Sequence, residues 1–233
     1  MKEVWKESCI LSPSLICLDM CNLEEQVRIL EKSGIKMLHV DILDGHFSPS
    51  MPLGLDTVRQ LRDKTGLQFD CHVMVEDQDF FVDELLDIGV EQIIFHAETQ
   101  PHIDGMLNRI HAKGVRAGVA LKPSTPLSAL DYVLGKCDTV LLMLINPGYA
   151  FVKGEKQVDY AQRKICDLKN KIREQGLDTK IEVDGRISPQ NIADYGRSDV
   201  DIFVTGSTCI DRADMAGSFK KLNELRISVT GGK

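Results

Sequence analysis

Short apolar runs alternate with longer amphipathic runs along the chain. The short runs are rich in branched residues, as buried strands are, and the longer runs repeat apolar positions at helical spacing. The strand-like runs are CILSPSL, KMLHVDIL, QFDCHVMV, EQIIFHAE, VRAGVAL, DTVLLMLI, TKIEVD and VDIFVTG. The helix-like runs are NLEEQVRILEKSG, GLDTVRQLRDKTG, DFFVDELLDIG, IDGMLNRIHAKG, LSALDYVLG, DYAQRKICDLKNKIREQG, SPQNIADYG and RADMAGSFKKLNELR, most of which end in Gly, a common helix stop.

The order of these runs predicts the fold class. Eight strands and eight helices in strict alternation indicate right-handed βαβ units and a parallel sheet. Eight repeats favour closure into a barrel, and a nucleotide-binding open sheet is the weaker alternative because no GxGxxG follows the first strand and no P-loop occurs. We therefore predict an α/β protein in which residues 1–233 form a single (β/α)8 TIM barrel domain, with loose tails at about 1–7 and 228–233.

The composition limits which classes of partner and which cellular compartment we expect for this protein. A net charge of −7 argues against nucleic acid, because phosphate backbones select basic surfaces. The start of the chain does not read as a secretory signal, and no apolar stretch approaches the roughly 18 residues that a membrane span needs. The seven cysteines are scattered and form no CxxC pair, which is typical of a reducing compartment. These features predict a cytoplasmic protein, and the acidic charge still allows a small phosphorylated ligand, which backbone amides at helix starts can hold.

Unusual polar residues stand at three strand ends, which is where barrels of this kind carry their active sites. His39 and Asp41 are two residues apart, so on a strand they point to the same side. His72 lies near the end of the third strand-like run, and Asp184 ends the seventh. Together the four side chains predict a site for one divalent metal ion (Zn, Fe, Mn or Co), since imidazole with carboxylate suits these ions better than calcium or magnesium. The alternative is a buried ion pair with hydrogen-bonded core histidines.

Small residues after the last strand-like runs indicate an anion-binding site. Gly206-Ser207 follows the eighth strand and precedes a helix-like turn, where backbone N–H groups can approach a phosphate. The loops after strands seven and eight are the usual phosphate seat in these barrels. The segment Asn146–Ala150, after strand six, is a candidate lid over that seat.

Seven motifs then occur in a recognisable order: Ser12-Pro13-Ser14, His39-Val40-Asp41, Asp44-Gly45-His46-Phe47, His72-Val73-Met74, Asn146-Pro147-Gly148-Tyr149, Glu182-Val183-Asp184-Gly185 and Gly206-Ser207. From about Ile10 to Arg226 the chain resembles the ribulose-phosphate 3-epimerase family, which includes the allulose-6-phosphate 3-epimerases. The resemblance implies a barrel of the ribulose-phosphate-binding type and a homo-oligomer, either a dimer or a hexamer.

The resemblance also implies roles for individual residues. His39, Asp41, His72 and Asp184 would bind the metal, and Asp41 and Asp184 would be the catalytic acid and base. Substrate contacts would come from a larger set: Ser14, His72, Met74, Met143, Gly148, Tyr149, Ala150, Phe151, Gly185, Arg186, Gly206 and Ser207.

The implied reaction is inversion of C3 of a ketose phosphate, D-ribulose 5-phosphate to D-xylulose 5-phosphate in pentose phosphate metabolism. Phe151 and Arg186 replace glycines of the family pattern at the phosphate end, so D-allulose 6-phosphate stays open as the alternative substrate. A decarboxylase or aldolase that uses Lys122, and a non-catalytic regulator that binds sugar phosphate, are the two rival functions.

Overall fold

A computed structural model describes residues 3–149, 152–196 and 200–231. Its eight strands are parallel: β1 (Ile10–Pro13), β2 (Met37–Leu43), β3 (Gln68–Met74), β4 (Gln92–His96), β5 (Arg116–Leu121), β6 (Thr139–Met143), β7 (Lys180–Asp184) and β8 (Ile202–Thr205). They form one sheet in the order β1-β8-β7-β6-β5-β4-β3-β2. A bridge between Ser14 and His39 joins the two outermost strands, so the sheet nearly closes on itself.

Helices connect the strands in alternation, and the predicted (β/α)8 TIM barrel is confirmed. Within the described residues the α-helices are α1 (Leu23–Lys32), α2 (Leu55–Arg62), α3 (Gln78–Ile88), α4 (Ile103–His111), α5 (Ala161–Glu174), α6 (Pro189–Tyr195) and α7 (Met215–Thr230). None of these helices combines the length and the apolar character that crossing a bilayer requires.

One predicted helix does not form a continuous α-helix. Between β5 and β6 the run LSALDYVLG forms two short 3-10 turns, Leu127–Leu130 and Leu134–Lys136. Leu130 and Val133 are buried three residues apart, and Leu127 packs against the same core. Leu134 is buried as well, so the buried positions are spaced by both three and four residues, and this pattern fits a 3-10 turn and an α-helix alike.

Alternation along the strands separates two environments. Val40 and Ile42 of β2 belong to the large apolar core that extends across most of the chain, whereas His39 and Asp41 point to the other side of the strand, into the barrel. The barrel interior has its own apolar cluster on β4, β5, β6 and the loop after β6, formed by Ile94, Ala120, Leu141, Met143 and Ile145. The polar side chains of β2, β3 and β7 therefore lie opposite an apolar wall.

Regular elements occur among the described residues of the segments where loose tails are expected, at about 1–7 and 228–233. Residues Glu3–Lys6 form a 3-10 turn, and Val4 and Trp5 are buried. The Arg116 guanidinium lies over the Trp5 ring, 4.4 Å from its centroid. At the other end, α7 continues to Thr230. An apolar cluster at the start of the strands includes two residues of the N-terminal segment: Val4, Trp5, Ile10, Met37 and Ile202.

Candidate active site

Four polar side chains converge at the centre of the barrel. β2 supplies His39 and Asp41, β3 supplies His72 directly beside Asp41 in the sheet, and β7 ends at Asp184. The Asp41 Oδ1 atom lies 3.4 Å from His39 Nε2 and 3.6 Å from His72 Nδ1. His72 Nδ1 is also 3.8 Å from Asp184 Oδ2. The residues predicted from three separate strand ends are thus adjacent.

These four residues fit a divalent metal ion. Each offers one ligand atom, and those atoms all lie within 4.8 Å of one another. His39 Nε2 and His72 Nδ1 are buried without a hydrogen-bond partner, and an unpaired buried polar atom is costly. Two imidazole nitrogens and two carboxylate oxygens are a donor set for zinc, iron, manganese or cobalt.

The two carboxylates differ in environment. Burial and the nearby Asp41 charge raise the pKa of Asp184 above its usual range. Burial also raises the pKa of Asp41, but His39 and His72 lower it by more, so the net shift is downward. Ser14 Oγ donates a hydrogen bond of 2.6 Å to Asp41 Oδ2, which orients this carboxylate. The environment therefore favours the charged form of Asp41 more strongly than that of Asp184.

A cleft of about 660 Å³, counting space open to solvent, lies above this cluster. Asp41 and Asp184 line it, whereas His39 and His72 are completely buried beneath. The other predicted site residues that line the cleft are Ser14, Met74, Met143, Gly148, Gly185, Arg186, Gly206 and Ser207.

Two glycines allow the loops to approach this cleft closely. Gly148 has φ +77, and a Cβ there would lie 2.5 Å from Ser48 Cβ. Gly185 has φ +117, and a Cβ there would lie 2.9 Å from the Ile145 backbone nitrogen. Side chains are disfavoured in this backbone region and have no room at either position.

Comparison with known proteins decides the family. A sequence profile described as the Ribulose-phosphate 3 epimerase family matches residues 10–210. The chain is 35% identical over 217 residues to a chloroplastic ribulose-5-phosphate-3-epimerase of Arabidopsis thaliana, covering 92% of this chain and 76% of the relative. It is 33% identical over 218 residues to a ribulose-phosphate 3-epimerase of Escherichia coli strain K12, covering 93% and 94%.

The chain belongs to the ribulose-phosphate 3 epimerase family. This membership confirms the resemblance seen in the sequence and the predicted enzyme class, an isomerase. A solved structure, 3-hexulose-6-phosphate synthase from Salmonella typhimurium, has a TM-score of 0.67 at 17% identity and covers 94% of this chain and 99% of its own. At that identity the likeness supports the barrel fold alone.

Tyr149, expected at the phosphate end of this family member, is not among the described residues that line the cleft. Tyr149 is 38% exposed, and its amide donates a hydrogen bond to the Asn146 carbonyl. Ala150 and Phe151 lie outside the described residues. Arg186 lines the cleft in the left-handed region, with φ 51, and its Nη2 donates to the Val152 carbonyl at 3.1 Å.

Sequence reasoning missed the carboxylates below His39. His39 Nδ1 lies 3.0 Å from Asp70 Oδ2 and 3.1 Å from Glu182 Oε1, and all three side chains are fully buried. Gln92 donates to the other Asp70 oxygen at 2.7 Å. Asp70 stands two residues before His72, so the same alternation that revealed His72 could have revealed it.

His96 and Glu98 were missed as well. His96 ends β4, its Nε2 atom is 2.9 Å from His72 Nε2, and its Nδ1 atom is 2.8 Å from Glu98 Oε2. Burial lowers the pKa of His96 to about 4, although Glu98 raises it, so the ring is neutral at pH 7. Burial raises the pKa of Glu98, but hydrogen bonds from His96, Thr125 and the Lys122 amide lower it to about 2. The spacing His96-x-Glu98 repeats that of His39-x-Asp41, which was a usable signal.

Proposed function

We propose that this protein inverts C3 of a ketose phosphate and that its reaction converts D-ribulose 5-phosphate to D-xylulose 5-phosphate. The observation that carries the proposal is the group His39, Asp41, His72 and Asp184, whose ligand atoms lie within 4.8 Å of one another at the floor of the cleft. The epimerase names of the relatives supply the substrate, and the carboxylates supply acid/base groups for the reaction.

Inversion at a carbon next to a ketone needs two proton-transfer groups. One group removes the C3 proton and leaves a planar enediolate, and a second group returns a proton to the opposite face. A single fixed base on one face would restore the original centre. In the proposal Asp41 and Asp184 hold these two roles and exchange them when the reaction runs in reverse.

The surrounding residues prepare this chemistry. Ser14 holds Asp41 through its 2.6 Å hydrogen bond, and Met74 and Met143 form apolar walls that exclude water without competing as acids. His39, Asp41, His72 and Asp184 would hold one divalent metal ion, which as a Lewis acid would stabilise the negative charge that develops on the substrate oxygens.

The phosphate would lie at the other side of the cleft. Gly185, Gly206 and Ser207 line that side, and the Arg186 guanidinium adds a positive charge there. An Arg fork can pair with phosphate through two parallel hydrogen bonds. The Lys122 ammonium, in contrast, lies over the Phe47 ring at 3.8 Å and is not among the residues lining the cleft, which disfavours the decarboxylase or aldolase alternative.

The test is deuterium incorporation at C3 in D₂O, with metal-loaded enzyme and either ribulose 5-phosphate or allulose 6-phosphate. We expect exchange and inversion with the five-carbon sugar, and losses of about 10²- to 10⁴-fold for Asp41→Asn and Asp184→Asn. The matched control is Asp201→Asn, which alters a partly buried carboxylate bonded to Lys180 and the Ile181 amide, outside the cleft lining.

Each other outcome has a definite meaning. Faster exchange with allulose 6-phosphate would transfer the proposal to the six-carbon substrate. Near wild-type inversion by either aspartate variant would refute the acid/base assignment. A wild-type protein that binds a sugar phosphate but exchanges no deuterium would support the regulator, and loss of turnover in Lys122→Ala would favour the lysine-dependent rival.

A further inference from the structure

We propose that Glu98 and His96 form a hydrogen-bond relay that fixes the ring proton of His72 on Nε2, so that the bare Nδ1 atom faces Asp41 and Asp184. Both are positioning residues, since neither lines the cleft. The inference rests on the proposed function because it concerns how a metal ligand is presented.

The relay begins at the Glu98 carboxylate, which can only accept hydrogen bonds when ionised. Its Oε1 atom accepts from the Lys122 amide at 2.7 Å and from the Thr125 hydroxyl. Its Oε2 atom faces His96 Nδ1 at 2.8 Å. A carboxylate oxygen at this distance requires a donor, so the His96 proton resides on Nδ1.

The position of the His96 proton then determines which nitrogen of His72 carries a proton. A neutral imidazole has one N–H and one acceptor nitrogen, so a proton on Nδ1 leaves His96 Nε2 as the acceptor. His72 Nε2 lies 2.9 Å away, and the ring centroids are 5.1 Å apart. The rings can be this far apart at that N···N distance only if the two nitrogens point at each other. His72 must therefore donate from Nε2.

The other nitrogen of His72 has the environment expected of a ligand atom. Nδ1 is buried, has no hydrogen-bond partner, and lies 3.6 Å from Asp41 Oδ1 and 3.8 Å from Asp184 Oδ2. Metal-binding histidines commonly donate their second N–H to a neighbour, which fixes both tautomer and ring orientation. Phe47 packs on His96 with ring centroids 4.6 Å apart and limits rotation of the relay.

Glu98→Gln should reverse the donor and acceptor roles along the relay, with almost no change in the shape of the side chain. The Lys122 N–H cannot turn away, so the amide oxygen of Gln would occupy the Oε1 position and the NH₂ would face His96 Nδ1. His96 would then have to accept at Nδ1 and carry its proton on Nε2. That proton would oppose the His72 Nε2 proton, and His72 would be driven to protonate Nδ1, the atom that faces the metal site.

Two measurements on the full chain test this prediction. Zinc affinity by competition with a chelator should fall by about 10- to 100-fold in Glu98→Gln, the usual effect of losing such a partner. Long-range ¹H–¹⁵N NMR of the zinc-loaded wild type should find the His96 proton on Nδ1 and the His72 proton on Nε2, and Glu98→Gln should move the His96 proton to Nε2.

The matched control is Glu91→Gln. Glu91 has a side chain 18% exposed against 19% for Glu98, and its Oε2 accepts from the Phe69 amide and Arg62. Removing the Glu91 carboxylate should change the free energy of unfolding measured in urea. The zinc affinity and the tautomers of His72 and His96 should stay as in wild type. A second variant, His96→Gln, offers a carbonyl oxygen to His72 Nε2 and should bind zinc more tightly than His96→Leu.

The outcomes separate this inference from the proposed function. A wild-type His96 proton on Nε2, or unchanged zinc affinity in Glu98→Gln, would overturn the relay. A wild-type protein that takes up no zinc would overturn the metal site and the relay with it. A protein that binds zinc with the expected tautomers but epimerises neither sugar would contradict only the proposed function.

Discussion

At the scale of single residues, Gly148 controls how closely the loop after β6 approaches the cleft. A Cβ at this position would lie 2.5 Å from Ser48 Cβ and 2.6 Å from Ser48 Oγ, and Ser48 is buried. We predict that Gly148→Ala raises KM, because the loop must withdraw from the phosphate side. We also expect it to lose stability through the left-handed backbone, which costs roughly 1–2 kcal/mol, and through overpacking.

Gly154 provides the control for this variant. Its φ is +92, but a Cβ there meets nothing within 4 Å. Gly154→Ala should show only the backbone cost in urea unfolding and a normal KM in steady-state kinetics. Equal KM values for the two variants would show that contact with Ser48 does not matter for substrate binding.

Alternation of side chains along a strand determines which site residues could be predicted from the sequence. His39, Asp41, His72 and Asp184 could be predicted because each is a polar residue that interrupts an apolar strand-like run. His96 and Glu98 carry the same signal, yet their importance depends on a contact between His96 and His72 across two strands. A pattern within one strand does not encode that contact, so the relay required the structure.

At the scale of elements, Lys164 of α5 joins its helix to the loop after β5. Its ammonium donates to the carbonyls of Lys122, Pro123 and Thr125 at 2.8, 2.9 and 2.7 Å. We predict that Lys164→Met lowers the free energy of unfolding by about 1–3 kcal/mol, because partly buried carbonyls lose their donor. Urea unfolding measures this loss.

Lys169→Met makes the same change at another half-buried position of α5. It should stay within about 0.5 kcal/mol of wild type, as substitutions away from such networks usually do. If both variants unfold at the same urea concentration, the three carbonyl contacts do not contribute to stability.

Strand positions were predictable at this scale, whereas one helix was not. Each apolar run named from the sequence contains a strand of the barrel, because a parallel sheet buried on both faces needs continuous apolar segments. The run LSALDYVLG also has apolar residues at helical spacing, but the spacings of three and of four are both present in so short a segment. Leu130, Val133 and Leu134 are all buried, so the pattern of apolar positions did not distinguish two 3-10 turns from one α-helix.

At the scale of the whole molecule, one end of the barrel carries the cleft and the other end is closed by apolar packing. The cleft and its polar cluster lie at the carboxyl ends of the strands, and the N-terminal turn covers the opposite end. Sequence alone assigned residues 1–7 to a loose tail, since a short segment without periodicity gives no sign of its burial. Val4 and Trp5 are buried because Ile10, Met37 and Ile202 leave apolar surface at the start of their strands.

This division predicts that stability and catalysis separate in Trp5→Ala. Truncating a buried Trp costs about 3–5 kcal/mol, so we expect earlier urea unfolding by circular dichroism, with normal kcat/KM for the folded protein. Trp5→Phe, which keeps a ring beneath Arg116, should lose much less. Trp5 is the single tryptophan of the chain, so wild-type fluorescence reports on this end alone. If residues 1–233 unfold as one domain, the fluorescence and circular dichroism transitions coincide, whereas an early fluorescence change would mean that the N-terminal turn detaches first.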